Sequence, residues 1–423
     1  MSFEKLLSKR SLMRLLNIGI RGGTVLGRFL LIMFLAKYLH EADMGRFGIF
    51  VATILLCVLV VGLEFNKYMY GELFAQDEVV RPKILGSHAK IVSCLYLLSV
   101  PGLYLVFVFG LIEYRYILYF YVALLFVLVS MELQALLTVL GYQLLSSIVY
   151  FVQASSWVFV VIPVVYFFPS YRSLEFIYFA WVSGAFVSVI IALWFLRKSN
   201  VRIDMDGMGG AWLRRGLKKC VIFLLSSLML KLLLTVDRYA MEYYSTTELV
   251  GVYVFYISVV MGIFNFLEPA VFSFIYPKML RYHREHKPDA YAIAHRELVY
   301  ATFVGVSVLG IFLYFAVPYI IKVLGLDAYK EHLDSLDIII SAGAISMLGY
   351  IPHYVLFSRG EFDWLSYSNA AALFAFLLAL LFLSIESPIS LLAGSLLIAF
   401  SVGGAVKAYG AYVFHRRQVG DAR

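Results

Sequence analysis

The run from Leu12 to Tyr38 constrains this chain most: it is apolar and long enough for a membrane helix, yet it carries Arg14, Arg21 and Arg28. At about 1.5 Å of rise per residue it crosses a hydrocarbon layer of about 30 Å with length to spare. The arginines recur every seven residues, which lines them along one side of a helix with Asn17 and Thr24 beside them. Gly19, Gly23 and Gly27 recur every four and take roughly the opposite side, a small-xxx-small pattern that lets membrane helices approach closely.

A lipid-facing arginine at mid-bilayer costs at least about 3 kcal/mol, so Arg28, near the centre of the run, is expected to face protein or water. Two readings remain open. The guanidinium groups line an internal cationic cavity, or Arg21 snorkels to the inner interface while Arg28 makes a single structural ion pair.

A chain of 423 residues that is 62% hydrophobic and 15% charged is no ordinary soluble globule. It reads as an all-α polytopic membrane protein. The net charge of +8 does not point to nucleic acid, because the basic residues flank apolar spans as the positive-inside pattern requires. No secretory cleavage pattern follows Met1, and Met1 to Arg10 reads as an amphipathic lead-in at the inner surface. Cys57, Cys94 and Cys220 have no paired spacing and read as core residues without disulfides. His283 and His286 flank Arg284-Glu285, which is not HExxH, and no GxxxxGKS/T loop occurs. No metal, cofactor or ATP hydrolysis is therefore expected.

Twelve spans are predicted. The first half holds Leu12–Tyr38, Gly45–Asn66, Leu85–Gly110, Tyr116–Leu140, a fifth span from Gln143 to near Pro169, and Leu174–Leu196. Lys67 to Lys90 is predicted as a polar connection. The second half holds Cys220–Tyr244, Val250–Tyr276, Ala294–Val323, Leu336–Phe357, Trp364–Ile385 and Ile389–Phe414. The most polar segment, Arg197 to Lys219, marks the boundary between an N-terminal six-helix bundle, 1–205, and a C-terminal one, 206–423. With both termini inside, 24 of the 35 lysines and arginines fall in inner segments and 6 in outer ones, which sets the orientation.

The halves echo one another. Arg21 and Arg28 are matched by Lys231 and Arg238, again seven apart, and each helix leads through a short acidic turn to a glycine-aromatic start, Gly45-Arg46-Phe47 and Gly251-Val252-Tyr253. Many transporters place their site between such repeats.

The helix from Arg21-Gly22-Gly23 to Leu39, followed by Asp43-Met44-Gly45-Arg46-Phe47-Gly48, resembles the polysaccharide transporter, or O-antigen flippase, branch of the multidrug/oligosaccharidyl-lipid/polysaccharide exporter superfamily. Asp237-Arg238-Tyr239 leading to Glu248-Leu249-Val250-Gly251-Val252-Tyr253 looks like the seventh helix of that family, and Pro277-Lys278-Met279 closes the eighth span where its members often have a proline. The resemblance implies two pseudo-symmetric six-helix bundles around a central cavity that opens alternately to either side of a bacterial inner membrane. It implies as cargo an undecaprenyl-pyrophosphate-linked oligosaccharide, an O-antigen or exopolysaccharide repeat unit, moved from the inner to the outer leaflet. Membrane lipids, a glycan polymerase and assembly proteins are the implied partners.

For such a cargo, Arg21, Arg28, Lys231 and Arg238 are assigned to the diphosphate, since arginine accepts phosphate oxygens bidentately, with Asn17 and Thr24 as polar lining. Asp237 lies about 100° round the helix from Arg238, so the two are not expected to face each other. Asp237 either pairs with a cation on another span or binds a coupling ion. Glu64 and Glu268 sit in the inner halves of spans two and eight as candidate protonatable gates, Glu64 alternatively as an interfacial charge. Pro269 is expected to kink its helix. Glu132, with Ser130 and Gln134, reads as helix-helix bonding before cavity lining. Lys407 reads as snorkelling, without a role.

Three rivals stand beside this reading, one of them a scaffolding subunit of a glycan-assembly complex, which loss-of-function tests separate from a transporter. A drug or cation antiporter of the same superfamily would want buried acids, whereas the deepest charges here are mostly basic. A membrane glycan polymerase or acyltransferase would want a sizeable external loop, a GxSxG or paired carboxylates, and the chain shows none of these, so no enzyme is expected.

Overall fold

The computed structural model describes residues 9–75 and 79–421; of the lead-in Met1 to Arg10, all but the last two residues lie outside them. The described residues form helices and no strand. Eleven helices are long and apolar enough to cross a membrane. Gly210–Val221 and Leu224–Tyr244, which meet at a bend of 43°, pass the same test only when taken together, as a broken span or a re-entrant pair. The chain is a multi-pass helical membrane protein with eleven candidate spans among the described residues, or twelve, the number the hydropathy predicts, if the bent pair is one span.

By backbone contacts the chain divides into two compact units, and the divisions fall inside helices. Unit 1 comprises the chain up to Phe34 together with Ile49–Leu228; unit 2 comprises Leu35–Gly48 and the chain from Met229 onward.

Unit 1 contains most of α1 (Lys9–Tyr38), the second part of α2 (Glu41–Gly62), α3 (Phe65–Ala75), α4 (Arg81–Leu103), α5 (Ile117–Val139), α6 (Gln143–Phe151), α7 (Val158–Phe167), α8 (Leu174–Lys198) and the first part of α9 (Gly210–Tyr244). One end of its core is aromatic: Phe50 stacks on Tyr178 with centroids 4.0 Å apart and meets Phe120 edge-on at 6.1 Å. At the other end Phe65, Tyr68, Met69, Ile84, Leu137 and Trp212 pack together.

Two local departures from the sequence reading share a cause. Span two stops at Gly62 instead of Asn66, and Leu63 and Glu64 adopt left-handed φ of 49° and 51° before α3 begins. The stretch expected as a polar connection is helical over residues 67–75 and 81–90: Phe65, Tyr68, Met69 and Leu73 give α3 one buried face, and Ile84 to His88 bury the first turns of α4. Averaged polarity hides such an amphipathic face, because its charged side is as populated as its apolar one. The fifth span is interrupted by a π-helical turn, Val152–Ser156, between α6 and α7.

Unit 2 contains the hairpin formed by the end of α1 and the start of α2, the rest of α9, α10 (Thr247–Phe264), α11 (Ser273–Arg284), α12 (Pro288–Leu324), α13 (Leu336–Leu348), α14 (Tyr350–Arg359), α15 (Phe362–Phe382) and α16 (Pro388–Asp421). The hairpin packs on α10 through glycines: β-carbons on Gly45 and Gly251 would overlap the carbonyls of Thr247 and Glu41, and one on Gly48 would meet the Val254 side chain. The buried Tyr256 hydroxyl donates to the Tyr329 carbonyl at 2.6 Å, tying α10 to the turn after α12. Between α10 and α11 the helix breaks at a π turn, Glu268–Phe272, where Pro269 has no N–H to give.

Candidate functional site

In unit 1, α1 packs on the fifth span at Gly23 and Gly27. A β-carbon on Gly23 would lie 3.6 Å from Phe151, and one on Gly27 would overlap the Ser155 hydroxyl in the π turn, so glycine spacing and helix distortion fit each other. Gly19 has open space around it. The predicted close-packing stripe is real at two of its three glycines.

The arginine face is also placed against this span. Arg21 Nε donates to Ser147 Oγ at 3.2 Å, and the Arg28 guanidinium lies 5.3 Å from the centre of the Tyr150 ring, a cation-π distance. Both arginines are exposed, and among the described residues neither has a carboxylate partner. The one-to-one ion pair considered for Arg28 is therefore not formed. An arginine this open on an apolar helix requires water or an anion, since hydrocarbon is the costly alternative. The side chain of Arg14 lies outside the described residues.

Asn17 lines a cavity of about 430 Å³ together with Met13, Gly141, Tyr142, Gln143 and Ile148, and its carbonyl oxygen is buried without a hydrogen-bond donor. Thr24 is 1% exposed and its hydroxyl donates back to the Ile20 carbonyl at 2.9 Å, so it serves its own helix and lines nothing. Threonine on a helix does this whenever no better acceptor is near.

The second predicted set lies in unit 2. Asp237 is 1% exposed and fully engaged: Oδ1 accepts from the Arg238 backbone N–H at 2.9 Å and from the Arg238 guanidinium at 3.1 Å, and Oδ2 accepts from the Tyr253 hydroxyl at 2.9 Å. This overturns the expectation that Asp237 and Arg238 cannot meet. Their α-carbons do diverge by 100°, but the arginine stem is long enough to curl back toward its own helix, where its guanidinium also reaches the Leu234 carbonyl at 2.6 Å. Arg238 is thus already committed to a carboxylate. Lys231 is half-buried and has its own interaction within the protein.

Glu64 is held in the left-handed break after α2, not within a span. Its carboxylate takes an ion pair from Lys67 and a hydrogen bond from Ser227 at 2.8 Å. Glu268 is exposed at the π turn and forms no ion pair or side-chain hydrogen bond among the described residues. The structure thus brings Arg21 and Arg28 to one face of α1, and Asp237 to Arg238 and Tyr253. Each set belongs to its own unit.

Three features were illegible in the sequence. Glu132 is a network centre: Asn66 donates to Oε1 at 3.1 Å and His88 Nε2 meets Oε2 at 2.9 Å, while neighbouring Ser130 bonds Ser188 at 2.7 Å. This extends the helix-bonding role expected of span four to Asn66, read as the last residue of span two, and His88, read where the polar connection overlaps span three. An open cavity of about 760 Å³ is lined by Gly210, Ala211, Arg214, Arg215 and Lys218 at the start of α9. Third, rings from α11 and α14 gather beside Glu268, with Phe272 stacked on Tyr350 at 5.3 Å. No single span carries enough of any of these to announce it.

The fold has known counterparts. An inward-facing multidrug resistance MATE family transporter of the MOP superfamily matches with a TM-score of 0.72, at 11% identity, over 93% of this chain and 94% of its own. The lipid II flippase MurJ, in an inward closed conformation, also matches with a TM-score of 0.72, at 12% identity, over 94% of this chain and 87% of its own. A MOP superfamily transporter from Pyrococcus furiosus Vc1, for which a binding pocket of reverse polarity suggests a different function, matches at 0.57 and 12% identity over 97% and 96%. No family model matches the sequence, and comparison with curated proteins finds no match.

Proposed function

We propose that this chain is a flippase that moves an undecaprenyl-pyrophosphate-linked oligosaccharide from the inner to the outer leaflet, by alternating access through a cationic cavity. The observation that carries the reading is the exposure of Arg21 and Arg28 on one face of a membrane helix, with no carboxylate partner for either among the described residues. Two unpaired guanidinium groups can neutralise a diphosphate that would otherwise be very costly to bring through a low-dielectric layer. The fold shared with transporters, one of them a lipid II flippase, is compatible with a lipid-linked cargo.

A cation exporter would require free buried acids. Asp237 is neutralised by Arg238, Glu132 is bonded to His88 and Asn66, and Glu64 is paired with Lys67. The balance of unpaired charge on α1 favours an anionic cargo.

Arg28→Ala tests the assignment. It is expected to abolish glycan export in cells while the protein stays in the membrane at parental abundance, and normal export by that variant would overturn the reading. Inner-membrane location with both termini inside is part of the same proposal, and reporter fusions at each terminus check it.

A further inference from the structure

We infer that the aromatic face of unit 2 beside Glu268 is a carbohydrate-binding surface, the place where the sugar portion of the cargo is recognised. This rests on the reading of the cargo as a lipid-linked glycan. Tyr350, Tyr354 and Phe357 recur at helical spacing on α14 and meet Phe272 and Tyr276 across the break. Phe272 stacks on Tyr350 at 5.3 Å, Tyr276 meets Tyr354 at 5.3 Å and Phe357 at 5.5 Å, and His353 stacks on Phe357 at 5.8 Å. Phe272 is buried behind the array, whereas the other rings are only half-buried or exposed.

An ordinary packing cluster would have its polar atoms satisfied or be free of them. Here the hydroxyls of Tyr276, Tyr350 and Tyr354 make no hydrogen bond among the described residues, and none of the three is sealed from solvent. The Glu268 carboxylate lies within Coulombic reach of Tyr350 and Tyr354 and has no cationic partner among the described residues. Lys407 is likewise without a hydrogen-bond or ion-pair partner there and lies close to His353, where Gly349 and Gly404 let α16 approach α14. Unpaired charges of both signs in a membrane protein mark a ligand path by default.

A pyranose presents an apolar C–H face and an edge of hydroxyls. Half-open tyrosine rings take the first, and a carboxylate with free phenols takes the second, each with donors and acceptors to match. A diphosphate would be repelled by Glu268. Sugar and diphosphate recognition are thus assigned to different units, the aromatic face of unit 2 and the arginine face of α1. The π turn fits the role, since it carries Glu268 next to the rings and such turns are frequent at functional sites.

The test uses the purified full chain in lipid nanodiscs with three free neutral trisaccharides, one of hexoses, one of 6-deoxyhexoses and one of N-acetylhexosamines, carrying neither lipid nor phosphate. Saturation-transfer NMR is expected to show transfer to the ring C–H protons of at least one. Tyr350→Leu with Tyr354→Leu should weaken that binding at least tenfold, while the paired Phe variants weaken it only a few-fold. Glu268→Gln, which leaves the rings in place, should weaken binding several-fold at an unchanged melting temperature, so misfolding of the leucine variant does not decide the matter. Transfer to none of the three sugars, or equal transfer in the parent and the Glu268→Gln variant, overturns the inference. Arg28→Ala must leave free-sugar binding intact. Sugar binding with normal export by Arg28→Ala sinks the flippase reading alone, and lost export without sugar binding sinks this one alone.

Discussion

Gly45 and Gly251 pack against each other reciprocally: each glycine sits where a β-carbon would overlap the carbonyl oxygen four residues before the other, Thr247 in one case and Glu41 in the other. Both glycines lie in the first turns of helices that begin at Glu41 and Thr247 and follow helices ending at Tyr38 and Tyr244. The contact is what two copies of a repeat make across a twofold axis, and it fixes their register. In that register Arg28 corresponds to Leu234 and Arg238 to Ile32. The echo between the hairpin starts is structural; the match of Arg21 and Arg28 to Lys231 and Arg238 is not.

Gly251→Val should therefore destabilise the protein, because a backbone carbonyl cannot swing aside as a side chain does. Overpacking of this kind costs about 1–3 kcal/mol. Thermal unfolding in detergent is expected to show a lowered midpoint. Gly262→Ala, with nothing within 4 Å of the added carbon, should leave the midpoint unchanged or raise it slightly.

Asp237→Ala should be among the most damaging substitutions in unit 2. It strands a largely buried guanidinium and a buried phenol at once, and breaking such a pair from one side costs about 3–5 kcal/mol. Asp237→Asn keeps an acceptor for Tyr253 and should cost less. A double-mutant cycle of Asp237→Ala with Tyr253→Phe is expected to give a coupling of about 0.5–3 kcal/mol, and additivity would show that the 2.9 Å bond contributes nothing.

Glu132→Leu should lower stability more than Glu132→Gln, because the amide still offers an oxygen to Asn66 or His88 while the alkyl chain leaves both unpaired. Each buried polar group left without a partner costs about 1–3 kcal/mol. Melting curves of the two variants side by side, with His88→Leu added to Glu132→Leu, check this. Removing both partners is expected to recover part of the loss.

Tyr150→Leu should slow export without abolishing it. Loss of the ring under Arg28 removes an orienting contact of about 0.5–1 kcal/mol at an accessible site, a change of a few-fold at most. Tyr150→Phe keeps the ring and should export at the parental rate. Loss of export in the phenylalanine variant at full membrane abundance would mean that the hydroxyl, not the ring face, is what matters there.

Transport driven only by the lipid gradient should respond to voltage. An interior-negative potential favours outward movement of an anion by about 2.3 kcal/mol per charge per 100 mV. Flipping measured in vesicles clamped with potassium and valinomycin is expected to accelerate as the interior becomes more negative and to persist with proton and sodium gradients collapsed. A rate indifferent to potential but abolished by collapsing one ion gradient would show coupling to that ion.

The sequence by itself determined the solvent and the span order. Long apolar runs cannot satisfy their backbone in hydrocarbon except as helices, so the helical multi-pass plan and the break at Pro269 follow from composition and local chemistry. It also determined that arginines share one face of α1, because helical phase depends only on spacing. Tertiary structure decided who meets whom. Arg28 found a ring and, among the described residues, no carboxylate, Asp237 found the neighbour that helical phase sets 100° away, and Asn66 and His88 converged on Glu132 from two helices of unit 1. A long side chain samples a volume larger than the angular differences between adjacent residues, and contacts between distant segments depend on how helices cross, neither of which a local pattern encodes.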